Sequence, residues 1–224
     1  VQFQAVRAIG AFILLHQKDP PILDHFAELV GPLVQVTALS VEKQEDEALL
    51  TLLIDLAEIP RFLRSQLENI MEMSLKIFSN EETTDAWRQL ALEVLVTLAE
   101  TASAMIRRVG GKYIAALIPL ILKFMTDLED DDEWSLADEI IEEDNDSNNI
   151  VAESALDRLS CGLGGKTILP HIISNIPTML SNSDWKYRHA ALMAISAVGE
   201  GCHKQMEAIL PQIMEGIIQY LSDP

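Results

Sequence analysis

Two stretches of the sequence match each other: LPHIISNIPTMLSN at residues 169–182 and LPQIMEGIIQYLSD at residues 210–223. Both open on Leu-Pro, the two prolines lie 41 positions apart, and apolar residues recur every three or four positions. That recurrence is the period of an amphipathic α-helix. A period of about 40 residues is typical of arrays of two-helix repeats. The match therefore predicts a helical-repeat fold in which each stretch is the first helix of a pair.

The second helices of the pairs match as well. Residues 87–92 (WRQLAL) align with residues 187–192 (YRHAAL), and residues 1–6 and 151–156 carry the same apolar pattern. The motif of the first helices recurs at Ile118-Pro119, and the chain opens inside a repeat. The chain is predicted to begin with a second helix at 1–17 and to end with a first helix at 206–221. Between them lie four helix pairs: 22–40 with 45–59; 63–79 with 84–107; 112–128 with 150–161; and 167–181 with 184–201.

Small and special residues mark structural positions of the repeat. Pro119, Pro170 and Pro211 stand at the head of the first-helix pattern, where the missing proline N–H is tolerated. The alanine shared by the second helices lets two backbones approach where helices cross. We expect Ala91, Ala155 and Ala191 to be buried.

Composition agrees with an all-α fold and limits the partners. Apolar residues make up 49% of the sequence and aromatic residues only 5%, a balance that favours helix packing over a β-sandwich. The formal net charge is −19, which repels nucleic acid and anionic lipid and attracts basic proteins. No apolar run approaches the length of a membrane span, and no secretory signal is visible. We expect a soluble monomer that binds neither nucleic acid nor membrane.

The repeat resembles the HEAT repeat, in which a turn acid and a second-helix arginine commonly form a ladder. Here the corresponding residues are Asn182 and Arg188, and the asparagine makes the ladder imperfect. The longer runs 153–166 and 184–203 resemble the importin-β (karyopherin-β) family of nuclear transport receptors, most of all its importin five branch, also called karyopherin beta three. The sequence predicts one right-handed HEAT-repeat solenoid over residues 1–224, with about five to six repeats and both ends cut within the array.

The resemblance implies a function. Receptors of this family shuttle between cytoplasm and nucleus, bind basic cargo such as ribosomal proteins or histones, pass FG-repeat nucleoporins at the nuclear pore and release cargo to Ran-GTP. These are expectations from the family, because the periodicity itself predicts only a stacked helical array.

An acidic insertion interrupts one repeat at residues 129–149. Its first 18 residues, 129–146, hold 11 acids and no Lys or Arg, and self-repulsion favours an exposed loop. Such a charge run is often only solvated, but Trp134 and several aliphatic residues interrupt it and could anchor a partner. The family resemblance associates this insertion with Ran and basic cargo. The predicted binding residues are Glu129, Asp130, Asp131, Asp132, Glu133, Trp134, Asp138, Glu139, Glu142, Glu143, Asp144 and Asp146.

A second candidate contact lies at the start of a predicted second helix. Trp185 and Tyr187 flank Lys186 there, and either aromatic side chain could stack on a cargo side chain. Packing between neighbouring repeats is an equally good explanation for the tryptophan.

The sequence offers no catalytic, cofactor or metal site. Cys161 and Cys202 lack metal spacing and are interpreted as small buried hydrophobic residues. The run 161–167 ends in Gly-Lys-Thr but follows a helix and lacks the first glycine of a phosphate loop, so it predicts a tight turn. The five histidines form no metal motif. An enzyme is therefore disfavoured. A HEAT-repeat scaffold for a multiprotein complex remains the alternative to a transport receptor.

Overall fold

The computed structural model describes residues 1–128 and 146–222. Within those residues every regular element is a helix and none is a strand, so the all-α prediction is confirmed. The α-helices are α1 (Gln2–Leu15), α2 (Pro20–His25), α3 (Val30–Lys43), α4 (Ala48–Ala57), α5 (Pro60–Leu63), α6 (Leu67–Ser79), α7 (Asp85–Thr101), α8 (Ser103–Val109), α9 (Gly111–Phe124), α10 (Asn148–Leu163), α11 (Gly165–Leu180), α12 (Trp185–Ala197), α13 (Gly199–Met206) and α14 (Leu210–Ile217). They divide between two compact units, Val1–Tyr113 and Ile114–Pro224.

In the first unit, corresponding helices of successive repeats pack on one another. The second helix α4 contacts both α1 and α7, which are the second helices before and after it, and the first helices α3 and α6 also touch. Leu49, Leu53 and Leu56 of α4 have no exposed surface. Burying one such side chain stabilises the fold by about 1.5–3 kcal/mol. The apolar stripe read from the sequence is therefore the surface that the neighbouring repeats cover.

In the second unit, glycines set how closely helices approach. Helix α10 packs against α11, α12 and α13, and α11 also packs against α12 and α13. A Cβ atom on Gly201 of α13 would overlap the backbone and the hydroxyl of Ser160 in α10. A Cβ atom on Gly165 would lie 2.9 Å from the Cα atom of Cys202. These two positions accept glycine because the opposing backbone already occupies the space.

Two helices that the sequence predicts as continuous are each broken into two in the structure. The range 84–107 forms α7 and α8, which bend by 107° at Ala102, and the range 184–201 forms α12 and the start of α13, separated at Val198. Ala102 adopts φ −126° and ψ 30°, although its N–H still bonds the Leu98 carbonyl. The apolar spacing continues through both breaks, so periodicity does not reveal them. The short helix leads the chain from one repeat towards the first helix of the next.

Other first helices differ from prediction in the same way. The ranges 22–40 and 63–79 each hold a short helix, a 3-10 turn and a longer helix: α2, Ala27–Leu29 and α3 in one, and α5, Arg64–Gln66 and α6 in the other. A further 3-10 turn, Glu207–Ile209, precedes α14, and Ile218–Ser222 follows it.

Two of the prolines do not lie in the first turn of a helix, which is where the pattern predicts them. Pro119 and Pro170 lie inside α9 and α11, which begin earlier, at Gly111 and Gly165. Of the three prolines, only Pro211 lies in the first turn of its helix. An interior proline leaves the carbonyl four residues earlier without its helical donor. The Leu-Pro signature therefore marks a position within the repeat rather than the start of a helix.

Among the described helices, none is by itself both long enough and apolar enough to cross a membrane. Only α7 and α8 counted together meet that test, across their bend.

The three repeat alanines lie in the core. Ala91 and Ala191 have no exposed surface and Ala155 has 4%. We expect Ala191→Leu to lower the free energy of unfolding by about 1–3 kcal/mol, because the larger side chain must displace close-packed neighbours. Urea denaturation measures the change. Ala104→Leu, at an exposed position of α8, is the control, and equal midpoints for the two variants would show that Ala191 has room for a larger side chain.

Candidate protein-binding site

Most of the predicted acidic site lies outside the described residues. This applies to residues 129–145, and so to every predicted acid of the insertion except Asp146, and to Trp134. Asp146 is exposed. The structure does describe the residues that flank the insertion on both sides.

Two hydrogen bonds fix those flanks. The Asn148 side-chain amide donates to a carboxylate oxygen of Asp127 at 2.7 Å, which joins the residues before and after the insertion. The ammonium of Lys186 donates to the carbonyl of Leu128 at 2.6 Å. Asn148 is buried, and a buried amide bonded to a charged carboxylate makes a strong contact. We call Asp127, Leu128, Asn148 and Lys186 the insertion stem.

The stem includes the start of α12, where the second predicted contact lies. Lys186 lies between Trp185 and Tyr187, so its bond to Leu128 places the start of α12 beside the point where the acidic segment begins. The Trp185 side chain is 43% exposed, and its ring meets the His189 ring edge-on at a centroid distance of 6.1 Å. Tyr187 is half-buried. The exposed Trp185 is thus adjacent in the chain to Lys186, whose side chain reaches Leu128, the last described residue before the acidic segment.

The start of α12 is held rigidly. Asp184 caps the helix, because its carboxylate accepts the Lys186 backbone N–H at 3.0 Å. Arg188 donates to the carbonyls of Asn182 and Ser183, both at 3.0 Å. These bonds tie the second helix to the end of the first helix of the same repeat. Trp185 is therefore presented from a fixed helix end, which lowers the entropic cost of binding a partner.

Arg188 has a counterpart one hundred residues earlier. Arg88 donates to the carbonyl of Phe78 at 3.2 Å and pairs with Asp85 at 3.1 Å. In both repeats the arginine bonds a carbonyl near the end of the preceding first helix. Arg188 bonds the carbonyl of Asn182, while the Asn182 side chain accepts the Asp184 N–H at 2.9 Å.

Sequence and structure comparisons identify the family to which this array belongs. A model of the importin repeat matches residues 80–170, and a model described as IPO5-like TPR repeats matches residues 1–73. The importin subunit beta-3 of Saccharomyces cerevisiae is 29% identical over 188 residues, which is 80% of this chain and 17% of that protein. The chain belongs to the importin-β family.

Solved structures agree with that assignment. The crystal structure of Kap121p bound to Nup53p has a TM-score of 0.84 at 25% identity, over 95% of this chain and 21% of that one. Kap121p bound to RanGTP gives a TM-score of 0.83 at 25% identity, over 95% and 22%. The predicted HEAT-repeat fold is confirmed. The chain spans about a fifth of the length of these proteins.

The two cysteines of this importin chain differ from each other. Cys202 is buried as predicted, and burial raises the pKa of its thiol to about 11. Cys161 is exposed, so the prediction of a second buried thiol is wrong. It lies on α10 one turn after Asp157 and bonds that carboxylate at 3.7 Å. Loss of water around the sulfur, followed by the charges of Asp157 and Glu200, raises the pKa of the Cys161 thiol.

The Cys161 thiol lies in a small cluster with two carboxylates, and its raised pKa affects its reactivity. The ligand atoms of Asp157, Cys161 and Glu200 lie within 4.8 Å of one another. Metal binding and nucleophilic attack both require the thiolate. The raised pKa of the Cys161 thiol lowers the fraction of thiolate, and so makes Cys161 a weaker nucleophile than a free cysteine.

The run 161–167 contains the junction between two helices, as its glycines predict, but Gly165, Lys166 and Thr167 already form the first turn of α11. Gly164 ends α10 with φ +80° and ψ 158°, a left-handed conformation that favours glycine. Helix α11 begins at the next residue. The glycines reverse the chain between two helices, which is a different context from the strand-to-helix loop that cradles phosphate.

Proposed function

We propose that this chain is the part of a nuclear import receptor that binds basic cargo, and that the acidic segment 129–146 together with the start of α12 forms the binding site. The observation that supports the proposal is the bond between Lys186 and Leu128, because it joins the start of α12, which carries the exposed Trp185, to the residue that precedes the acidic segment. Carboxylates attract Lys and Arg side chains, and a fixed aromatic ring adds a contact for their aliphatic stems or cationic heads.

Membership of the importin family supports a transport role. One similar structure is Kap121p with a nucleoporin, Nup53p, and another is Kap121p with RanGTP. By analogy we propose that the protein binds FG-repeat nucleoporins and Ran-GTP, acts as a monomer and moves between cytoplasm and nucleus through the nuclear pore. Ribosomal proteins, histones and similar basic signals are the proposed cargo, and the role is binding rather than catalysis.

A scaffold for a multiprotein complex is the competing function, since it uses the same helical array. A pull-down of the full-length protein with Ran loaded with GTP or GDP separates the two. A transport receptor retains Ran-GTP and not Ran-GDP. Equal retention of the two forms, or of neither, would favour the scaffold.

The aromatic part of the site can be tested alone. We expect Trp185→Ala to weaken binding of a lysine-rich peptide about tenfold, a typical cost for losing an aromatic anchor. The thermal midpoint should hardly change, because the side chain is already half exposed. Fluorescence anisotropy with a labelled peptide measures the affinity. Leu39→Ala is the control, since Leu39 has similar exposure, 40%, and lies in the first unit; equal affinities for the two variants would remove Trp185 from the site.

A further inference from the structure

A group of basic residues collects where one repeat of the first unit passes to the next. Arg61, Arg64, Arg107, Arg108 and Lys112 supply five of the 16 basic residues in a chain of net charge −19. Arg61 and Arg64 lie in α5 and the turn before α6, and Arg107, Arg108 and Lys112 lie at the end of α8 and the start of α9. We call these five residues the basic connector.

The two parts of the basic connector are neighbours in space. The Lys112 ammonium lies 3.9 Å from a carboxylate oxygen of Glu68, in the first turn of α6. A Cβ atom on Gly110 would lie 3.1 Å from the terminal methyl of Met71, one turn further along α6. Because the turn that holds Arg64 leads directly into α6, Arg64 and Lys112 both lie near the first turn of that helix.

All five side chains belong to exposed residues. Arg61 pairs with Asp24 at 2.7 Å, and Lys112 meets Glu68 at the longer distance. All four of these side chains are more than half exposed. Exposed pairs of this kind contribute only about 0–1 kcal/mol. An incoming carboxylate can therefore replace the internal partner at little cost.

Charge is separated between the two kinds of connection in this unit. The turns from a first helix to its second helix carry acids, as in 45–47 (EDE) and 81–85 (EETTD). The connections between repeats hold the five residues of the basic connector, with Glu58 at the end of α4 and Glu68 at the start of α6 as the nearby acids. The N-terminus of α6, with its partial positive charge, lies on the basic side. At 0.1 M salt the field of a charge extends about 10 Å, so a ligand at these residues responds to the basic connector more than to the net charge of the chain.

We infer that the basic connector binds an acidic, Asp- or Glu-rich peptide segment of a partner protein. Arginine forks bind carboxylates in a bidentate manner, and an extended peptide can reach both parts of the basic connector. A nucleic acid fits less well, because its dense phosphate charge would also meet the acids of the rest of the chain. This surface lies in the first unit and is separate from the acidic site proposed for basic cargo.

The test compares two variants of equal net charge in the whole 224-residue chain. One is Arg64→Gln/Arg108→Gln/Lys112→Gln, and the control is Lys43→Gln/Lys76→Gln/Lys204→Gln, which changes three exposed lysines elsewhere. The probe is a labelled 12-residue peptide of alternating Glu and Gly, titrated at 0.1 M salt and followed by anisotropy. A single-stranded oligonucleotide of the same length is titrated in parallel.

We expect the connector variant to bind the acidic peptide about tenfold more weakly than wild type, since three exposed charge contacts are lost. The control should remain within about twofold of wild type, as substitutions away from a contact do. Equal losses in both variants would overturn the proposal, as would an absence of peptide binding to the wild type. Tighter, connector-dependent binding of the oligonucleotide would assign the surface to nucleic acid instead.

Discussion

We expect the Gly201→Ala variant to unfold about 6–12 °C below the wild-type protein, which corresponds to about 3 kcal/mol of lost stability. The added Cβ atom would overlap the carbonyl group and the hydroxyl of Ser160. Ser160 is fully buried, and its hydroxyl bonds the Asp157 carbonyl within α10. The backbone of α10 cannot retreat without moving the whole helix, so the strain must be spread over the contacts of α10 with α13.

Gly199 provides a matched control within the same helix. A Cβ atom there would meet nothing within 4 Å. We expect Gly199→Ala to leave the midpoint unchanged or to raise it slightly, because alanine restricts the unfolded chain. Circular dichroism at 222 nm follows both transitions. A Gly201→Ala variant with the same thermal midpoint as the wild type would show that α10 and α13 are not in close contact.

The largest effect on binding is expected from neutralising the acidic segment. Replacing its 11 acids by Ser and Asn should weaken binding of a lysine-rich peptide about a hundredfold at low salt, the sum of several exposed charge contacts. The advantage of the wild type should shrink as salt rises, because the Debye length falls from about 10 Å at 0.1 M to about 3 Å at 1 M. The helical signal should not change.

Two controls identify what the acids contribute. A variant with the order of residues 129–146 scrambled keeps their charge and should bind almost as well as wild type, since long-range attraction depends on charge more than on order. A variant with 11 exposed acids of the first unit replaced has the same net charge as the neutralised protein and should keep most of its affinity. Equal losses in the segment variant and the first-unit variant would show that net charge, and not the segment, attracts the peptide.

The sequence predicts the helices of this protein well because each repeat buries a stripe of Leu and Ile at helical spacing. The Leu-Pro stretches and the buried Ala191 carry that pattern directly. The bends at Ala102 and Val198 could not be predicted, since apolar spacing continues through them and the tertiary position of the next repeat decides where the chain turns.

The candidate site was predictable only in parts. Acidic residues and an aromatic contact at Trp185 can be proposed from composition and motif position, but the bond that joins Lys186 to Leu128, 58 residues apart, cannot. Nothing local in the sequence marks Lys186 or Asn148 as stem residues. The exposure of Cys161 was missed for a similar reason, because the face of α10 on which it lies is set by packing against α11, α12 and α13.

The most direct test of the proposed transport function is the coupling between a basic cargo peptide and Ran. A labelled lysine-rich peptide is bound to the full-length protein, and its anisotropy is followed while Ran-GTP or Ran-GDP is added. We predict that Ran-GTP releases the peptide and that Ran-GDP does not, with a matching loss of Ran-GTP affinity when peptide is in excess, as linkage requires. A peptide that remains bound in the presence of saturating Ran-GTP would contradict the proposed function.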